Sequence, residues 1–179
     1  MLDTATMITA GDDQEAAVLL ARVLPLDQPV SGIAKATLSA TAHGVYEARI
    51  GGQLVTDSVL NPGWTAYESR LQVQRFDVTN HLLATSGHQI QLEVILGNGW
   101  YRGNLGFEGA NANYGDEIGF LAELTIEYLD SSTQTTVTDT DWTAHASHIG
   151  ANSLYLGQTT DSRPADPGSG SAASGSPRS

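Results

Sequence analysis

Apolar residues fall on alternate positions in several short runs of this chain. In "YEARI", Tyr46, Ala48 and Ile50 point one way, and Glu47 and Arg49 the other. "IQLEVIL" places Ile90, Leu92, Val94 and Leu96 on one face. "FLAELTIEY" does the same with Phe120, Ala122, Leu124, Ile126 and Tyr128. A period of two is the mark of a strand with one face buried and one wet, the usual state of antiparallel sheets. Gly51-Gly52 separates two such runs in "IGGQL", and glycine accepts the positive φ that tight hairpin turns need. Helical spacing is scarce. "DDQEAAVLLARVL" has Asp12 and Glu15 at capping-box distance, yet "AVLLARVLPL" fits an edge strand ending at Pro25 equally well. "DVTNHLL" (77–83) predicts one helical turn after a strand. Many short strands with turn signals between them predict an all-β fold, an antiparallel β-sandwich with at most short helical turns.

The same pattern sets the organisation. Residues 1–14 form a leader, 15–163 the sandwich, and 164–179 a Pro/Gly/Ser tail. The tail, "PADPGSGSAASGSPRS", has almost no apolar surface to offset the entropy of ordering, so it is expected to stay disordered. No internal repeat is evident.

Composition narrows the function classes. The chain has 179 residues, enough for one domain with a real core. Its net charge is −12, and Lys35 is its single lysine. Such a surface repels nucleic-acid backbones and anionic membranes, so neither is an expected partner. With no cysteine there is no disulfide, thiolate nucleophile or cysteine-bound zinc. No apolar run approaches the ~20 residues of a membrane span. The N-terminus lacks the basic start and apolar stretch of a signal peptide, which predicts a soluble, cytoplasmic chain.

Chemistry concentrates in two aromatic turns. In "LGNGWYRGNLGF" (96–107) a strand runs into a glycine-rich loop bearing Trp100, Tyr101 and Phe107. As a sugar site, the rings would stack on the C–H face of a pyranose while Asn98 and Arg102 bond its hydroxyls. As structure, the rings would fold back over the sandwich end, with Arg102 paired to Asp116 or Glu117. "NPGWTAY" (61–67) poses the same choice for Trp64: sugar platform or plug of the sandwich edge. Its Pro62-Gly63 pair marks a turn with preset φ followed by positive φ. Trp142 in "DTDWTAH" reads as the anchor of a final strand. The acids Asp116, Glu117, Asp139 and Asp141 read as solvated loop charges rather than a catalytic pair. His145 and His148 have H-x-x-H spacing, but no third ligand accompanies them and no metal is expected. No G-x-S-x-G elbow supports a serine triad.

"GVYEARIGGQLVTDSVLNPGWTAYESRLQVQRFDVTNHLL", followed in order by "LGNGWYRGNLGF", "YGDEIGFLAELTIEYLD", "TDTDWTAHASHI" and "LGQTTDSR", resembles the N-terminal β-sandwich domain of bacterial α-L-rhamnosidases. The resemblance spans roughly residues 15–163 and implies a jelly-roll, galactose-binding-like sandwich, which tips the 16–25 segment toward strand. The family's inverting hydrolysis of terminal L-rhamnose belongs to a helical toroid far downstream, and nothing here resembles it. The chain is therefore expected to be a truncated or frame-shifted product, or a cut piece, with no catalytic residues of its own. Its implied role is that of an accessory domain packed beside the catalytic domain, which is its expected partner, together with rhamnose-containing glycans. Two other roles remain open. One is a free-standing carbohydrate-binding module for L-rhamnose using Trp64, Asn98, Trp100, Tyr101 and Arg102. The other is a protein-interaction sandwich. Related domains that capture rhamnose through calcium use an Asp-Asn pair before the tyrosine-bearing strand. Here that place reads His43-Gly44, which offers no carboxylate to a hard cation, so no cofactor is expected.

Overall fold

A computed structural model describes residues 2, 4–9, 15–106, 109, 111–162 and 171–176. Its elements in chain order are β1 (Met7–Thr9), β2 (Val18–Pro25), β3 (Ile33–His43), β4 (Val45–Ile50), β5 (Gln53–Leu54) and β6 (Gln74–Asp77). Next come α1 (Thr79–Leu83), β7 (Gln89–Gly97), α2 (Gly99–Arg102), β8 (Gly119–Tyr128) and β9 (Thr133–Val137). The last are β10 (Thr143–Ala146), β11 (Ile149–Ser153), β12 (Gly157–Thr160), β13 (Ser171–Ala172) and β14 (Ser174–Ser176). One sheet runs β14-β1-β8-β3-β6, with β9 also paired to β8. The other runs β13-β10-β2-β7-β4-β5, and β11-β12 form a separate hairpin. All pairings are antiparallel. The fold is an antiparallel β-sandwich.

The alternating runs supply its interior. Ile90, Leu92, Val94 and Leu96 of β7 are all buried and face Phe120, Ala122, Leu124 and Ile126 of β8 within one core cluster. Ala36, Leu38, Ala40 and Ala42 of β3 complete the layer, and small side chains there leave room for Tyr46 and Phe120, whose rings meet at 5.3 Å. Burying a leucine or phenylalanine in such a layer contributes roughly 1.5–3 kcal/mol each, so the alternation itself selects the face that turns inward. The hairpin forms where the double glycine placed it, with φ of 56° and 79° at Gly51 and Gly52 and Ile50 opposite Gln53. The helical turn forms as α1.

Three expectations change. The 18–25 segment is a strand but not an edge strand: β2 lies between β10 and β7, because Leu20 and Leu24 are fully interior. Trp142 is buried against Phe120 at 6.2 Å, but it precedes β10, and four more short strands follow. The tail is ordered at 171–176, where β13 pairs with β10 and β14 with β1, through backbone ladders that need no apolar side chain beyond the buried Ala173. The remainder of 164–179, Arg163, Phe107 and the Asp12 capping position lie outside the described residues.

Candidate functional site

Both aromatic turns sit at one end of the sandwich and are fixed from below by buried amides. The Tyr46 hydroxyl, interior to the core, donates to Gln74 Oε1 at 2.7 Å, and Gln74 Nε2 donates to Asn61 Oδ1 at 2.8 Å. Asn61 Nδ2 donates to the Ser58 carbonyl, and the Tyr46 amide donates to the Asn61 carbonyl at 2.7 Å. Burial pushes the Tyr46 phenol upward, so it stays a donor at any physiological pH. This relay fixes the first turn. Its Asn61–Pro62 peptide is cis and Gly63 has a φ of 97°, the positive value read from the sequence.

The second turn is held by the β11–β12 hairpin. Asn152 Oδ1 accepts from the Asn98 amide at 2.7 Å, and Asn98 Nδ2 donates to the Asn152 carbonyl at 3.2 Å. Arg102 Nε donates to Asn98 Oδ1 at 2.7 Å, one turn of α2 away. Asn98 and Arg102 are each only 5% exposed. The glycines around them are there for close approach. Gly99 has a φ of 53° and stands where a Cβ would come within 2.7 Å of Val45 Cγ1. A Cβ on Gly44 would collide with the Gly97 carbonyl oxygen. The odd composition of the loop thus answers to packing: its backbone is pressed into the β3–β4 corner.

Between them the turns present a row of rings. Trp64 stacks on Trp100 with centroids 5.8 Å apart and planes 7° from parallel, and Trp64 Nε1 donates to the Tyr114 hydroxyl at 3.1 Å. Tyr67 meets Tyr114 at 5.0 Å and Tyr101 at 5.1 Å. Tyr101 lies flat on His43 at 4.3 Å. Burial, then the neighbouring Tyr114 and Tyr101, push the Tyr67 phenol up to about 12. Burial, then Asp116 and Glu117, raise Tyr101, while burial lowers His43. At neutral pH Tyr67, Tyr101 and His43 are therefore uncharged.

The five residues singled out from sequence are therefore not gathered around one cavity. Asn98 and Arg102 line a polar cleft of about 420 Å³ between α2 and the β11–β12 hairpin. Tyr101, with Tyr67, Tyr114 and His43, lines a larger groove of about 860 Å³ on the outer face of the β1–β8–β3 sheet. Trp64 and Trp100 line neither and cover each other; Trp64 is 53% exposed, so it is not a buried plug. Asp116 and Glu117 line the groove while Arg102 lines the cleft, so the Arg102 Nε finds the Asn98 amide rather than either acid. Sequence reading missed Asn152 and Tyr114. "ANYGDEIG" did carry a signal for the latter, an aromatic flanked by glycine as in "GWYRG".

Asp139, Asp141 and His145 have partners within the fold, as do Asp77 and Asp130. Asp139 and Asp141 both accept from the Arg22 guanidinium, Asp141 at 3.1 Å. Asp77 accepts from Thr79 and Asp130 from Ser132, and these hydroxyl bonds hold both carboxyls below their usual range. His145 Nε2 meets Thr143 Oγ1 at 3.0 Å. Among the described residues no three His, Asp or Glu side chains converge as a metal site, and no helix is long and apolar enough to cross a membrane.

Comparison with known proteins places this architecture. Residues 31–173 match the family model described as the α-L-rhamnosidase N-terminal domain. An α-L-rhamnosidase of Streptomyces avermitilis is 36% identical over 135 residues, which cover 75% of this chain and 13% of that protein. The crystal structure of the S. avermitilis enzyme complexed with L-rhamnose superposes with a TM-score of 0.81 at 32% identity, over 90% of this chain and 16% of that one. Native α-L-rhamnosidase from Aspergillus terreus gives a TM-score of 0.87 at 27% identity, over 99% of this chain and 22% of that one. The chain thus spans a small part of the relatives it matches, and it belongs to the α-L-rhamnosidase N-terminal domain family.

Proposed function

We propose that this chain is a non-catalytic accessory domain that packs beside the catalytic domain of an α-L-rhamnosidase and aids recognition of rhamnosylated substrates. The observation that carries the reading is the span of the match: 13% of the S. avermitilis protein's length, over a segment whose bonded carboxylates serve the fold. Inverting hydrolysis needs a carboxyl kept protonated and a carboxylate about 6.5–9.5 Å from it with water between. Asp77 and Asp130 are pushed the opposite way, and Asp139 and Asp141 neutralise Arg22. Purified chain is expected to release no nitrophenol from p-nitrophenyl α-L-rhamnoside. Release that Asp→Asn changes within the chain abolish would overturn the reading.

A second reading rests on Trp64, which is half exposed and held rigid by Trp100 and Tyr114. An immobilised indole loses little entropy when a pyranose stacks on it. Here the domain itself holds L-rhamnose. Tryptophan fluorescence titrated with L-rhamnose, with and without calcium, discriminates, and it must reach high sugar because a Kd near 1 mM corresponds to only about −4 kcal/mol. A saturable shift lost in Trp64→Ala supports capture; a flat titration leaves the architectural role alone.

A further inference from the structure

The groove on the outer sheet face carries charge that the fold does not use. Met7 and Leu121 floor it, and Tyr67, Tyr101 and Tyr114 wall it. Three carboxylates also line it, Glu68, Asp116 and Glu117, against one cation, Arg70. All four are exposed, and among the described residues none of the three carboxylates has a hydrogen-bond or ion-pair partner. Elsewhere Asp77, Asp130, Asp139, Asp141 and Glu47 each accept a bond from a neighbour in the fold, while Asp57 and Glu127, also unpartnered among the described residues, stand outside the groove. The groove's lining thus has a formal net charge of −2, from three acids less one base, beside Tyr67 and Tyr101, whose hydroxyls burial keeps neutral.

We propose that this groove is a docking surface for an arginine-bearing polypeptide segment, with the guanidinium against the tyrosine wall and between Asp116 and Glu117. The proposal rests on the accessory-domain reading, which supplies the source of the segment: the catalytic portion of an α-L-rhamnosidase. Charge complementarity selects the occupant. A planar guanidinium both stacks on aromatic rings and forks to carboxylates, which a compact ammonium does less well. A pyranose fits less well, because it is neutral and leaves the groove's three carboxylates uncompensated. The volume, about 860 Å³, suits a loop side chain with its flanking residues.

The test uses the full 179-residue chain. NMR signals of Tyr101, Tyr114 and Gly119 are followed while acetyl-Leu-Arg-Leu-amide is added, with acetyl-Leu-Gln-Leu-amide and L-rhamnose as parallel arms. The arginine peptide is expected to shift them with a Kd of roughly 1 mM, at least about fivefold tighter than the glutamine peptide. The double variant Asp116→Asn, Glu117→Gln is expected to weaken binding about tenfold, and raising NaCl to about 0.5 M to weaken it as well. Arg70→Gln, which removes the competing cation, is expected to tighten it; the two opposed variants keep a folding defect from passing as support. Equal binding of both peptides, indifference to the double variant, or binding of L-rhamnose alone overturns the proposal. A separate arm mixes the chain with the S. avermitilis enzyme lacking its matching segment and reads association by sedimentation. Association that survives the double variant overturns the groove while sustaining the accessory reading. Peptide binding without association overturns the accessory reading and sustains the groove's preference for guanidinium.

Discussion

Asn98 shows how one side chain can make a flexible-looking loop rigid. It accepts from the Arg102 Nε and donates to the Asn152 carbonyl while 5% exposed. Asn98→Ala strands those groups away from water, so a loss of about 2–3 kcal/mol is expected in urea unfolding, whereas an exposed asparagine such as Asn80 should lose under about 0.5 kcal/mol. Equal losses at the two positions would mean that the network contributes nothing. His43 gives a pH dependence at the same scale. Burial lowers its folded pKa below the ordinary 6.5, so between the two values the unfolded chain holds more protons. Stability therefore falls as pH drops from about 6.5 toward the folded value. The lowered carboxyls Asp77 and Asp130 lose their contribution only below their ordinary value of 3.8, outside this window. His43→Phe keeps a ring on Tyr101 without a titrating proton, and it is expected to flatten the fall in Tm as pH drops below the ordinary 6.5. A slope unchanged by that variant would assign the fall to another group.

At the scale of elements, what was legible followed from side-chain period. β4, β7 and β8 could be read directly, because apolar residues recur at every second position in each and all these predicted inward positions are buried. The Gly51-Gly52 hairpin and α1 were equally plain. The tie over β2 arose because "AVLLARVLPL" has little polar alternation, and it turned out to be interior. The tail strands were hidden because their ladders use backbone groups and show no period at all. The site was hidden for another reason: its contacts join residues far apart in sequence, Trp64 with Tyr114 and Asn98 with Asn152. Composition found the turns but could not say that their polar and aromatic members diverge. The tail strands carry their own prediction. They close one edge of each sheet, with β14 on β1 and β13 on β10. A chain ending after residue 162 exposes both edges and Trp142's surroundings, where the Ala173 amide bonds the Trp142 carbonyl at 2.8 Å. It is expected to lose about 1–2 kcal/mol, roughly 3–6 °C in Tm, and to self-associate through the bared strands. Calorimetry with sedimentation checks this, and an unchanged Tm in a monomeric product would show that β13 and β14 add no stability.

At the scale of the whole molecule, the ring-bearing end is tied to the main core. Phe120 and Trp142 lie in the same cluster as Tyr46, and Tyr46 anchors the first turn through Gln74 and Asn61. Any loosening of the core must therefore reach the turn that carries Trp64. The stacked pair offers a direct readout, because two indoles with centroids 5.8 Å apart couple electronically and should give an exciton couplet in circular dichroism. Buried Trp142 reports the core by fluorescence. The couplet and the core signal are expected to vanish at one midpoint, as in a two-state unit of this size. Leu92→Ala, a cavity at the centre of β7, should lower both midpoints together by about 2–5 kcal/mol of stability. Trp64→Phe should erase the couplet while shifting the core midpoint by under about 1 kcal/mol, since Trp64 is half exposed. If the couplet instead melts well before the core, the ring-bearing end is a separate, softer unit. A docking surface on it would then form only on contact with its partner, and the entropy of ordering it would weaken association.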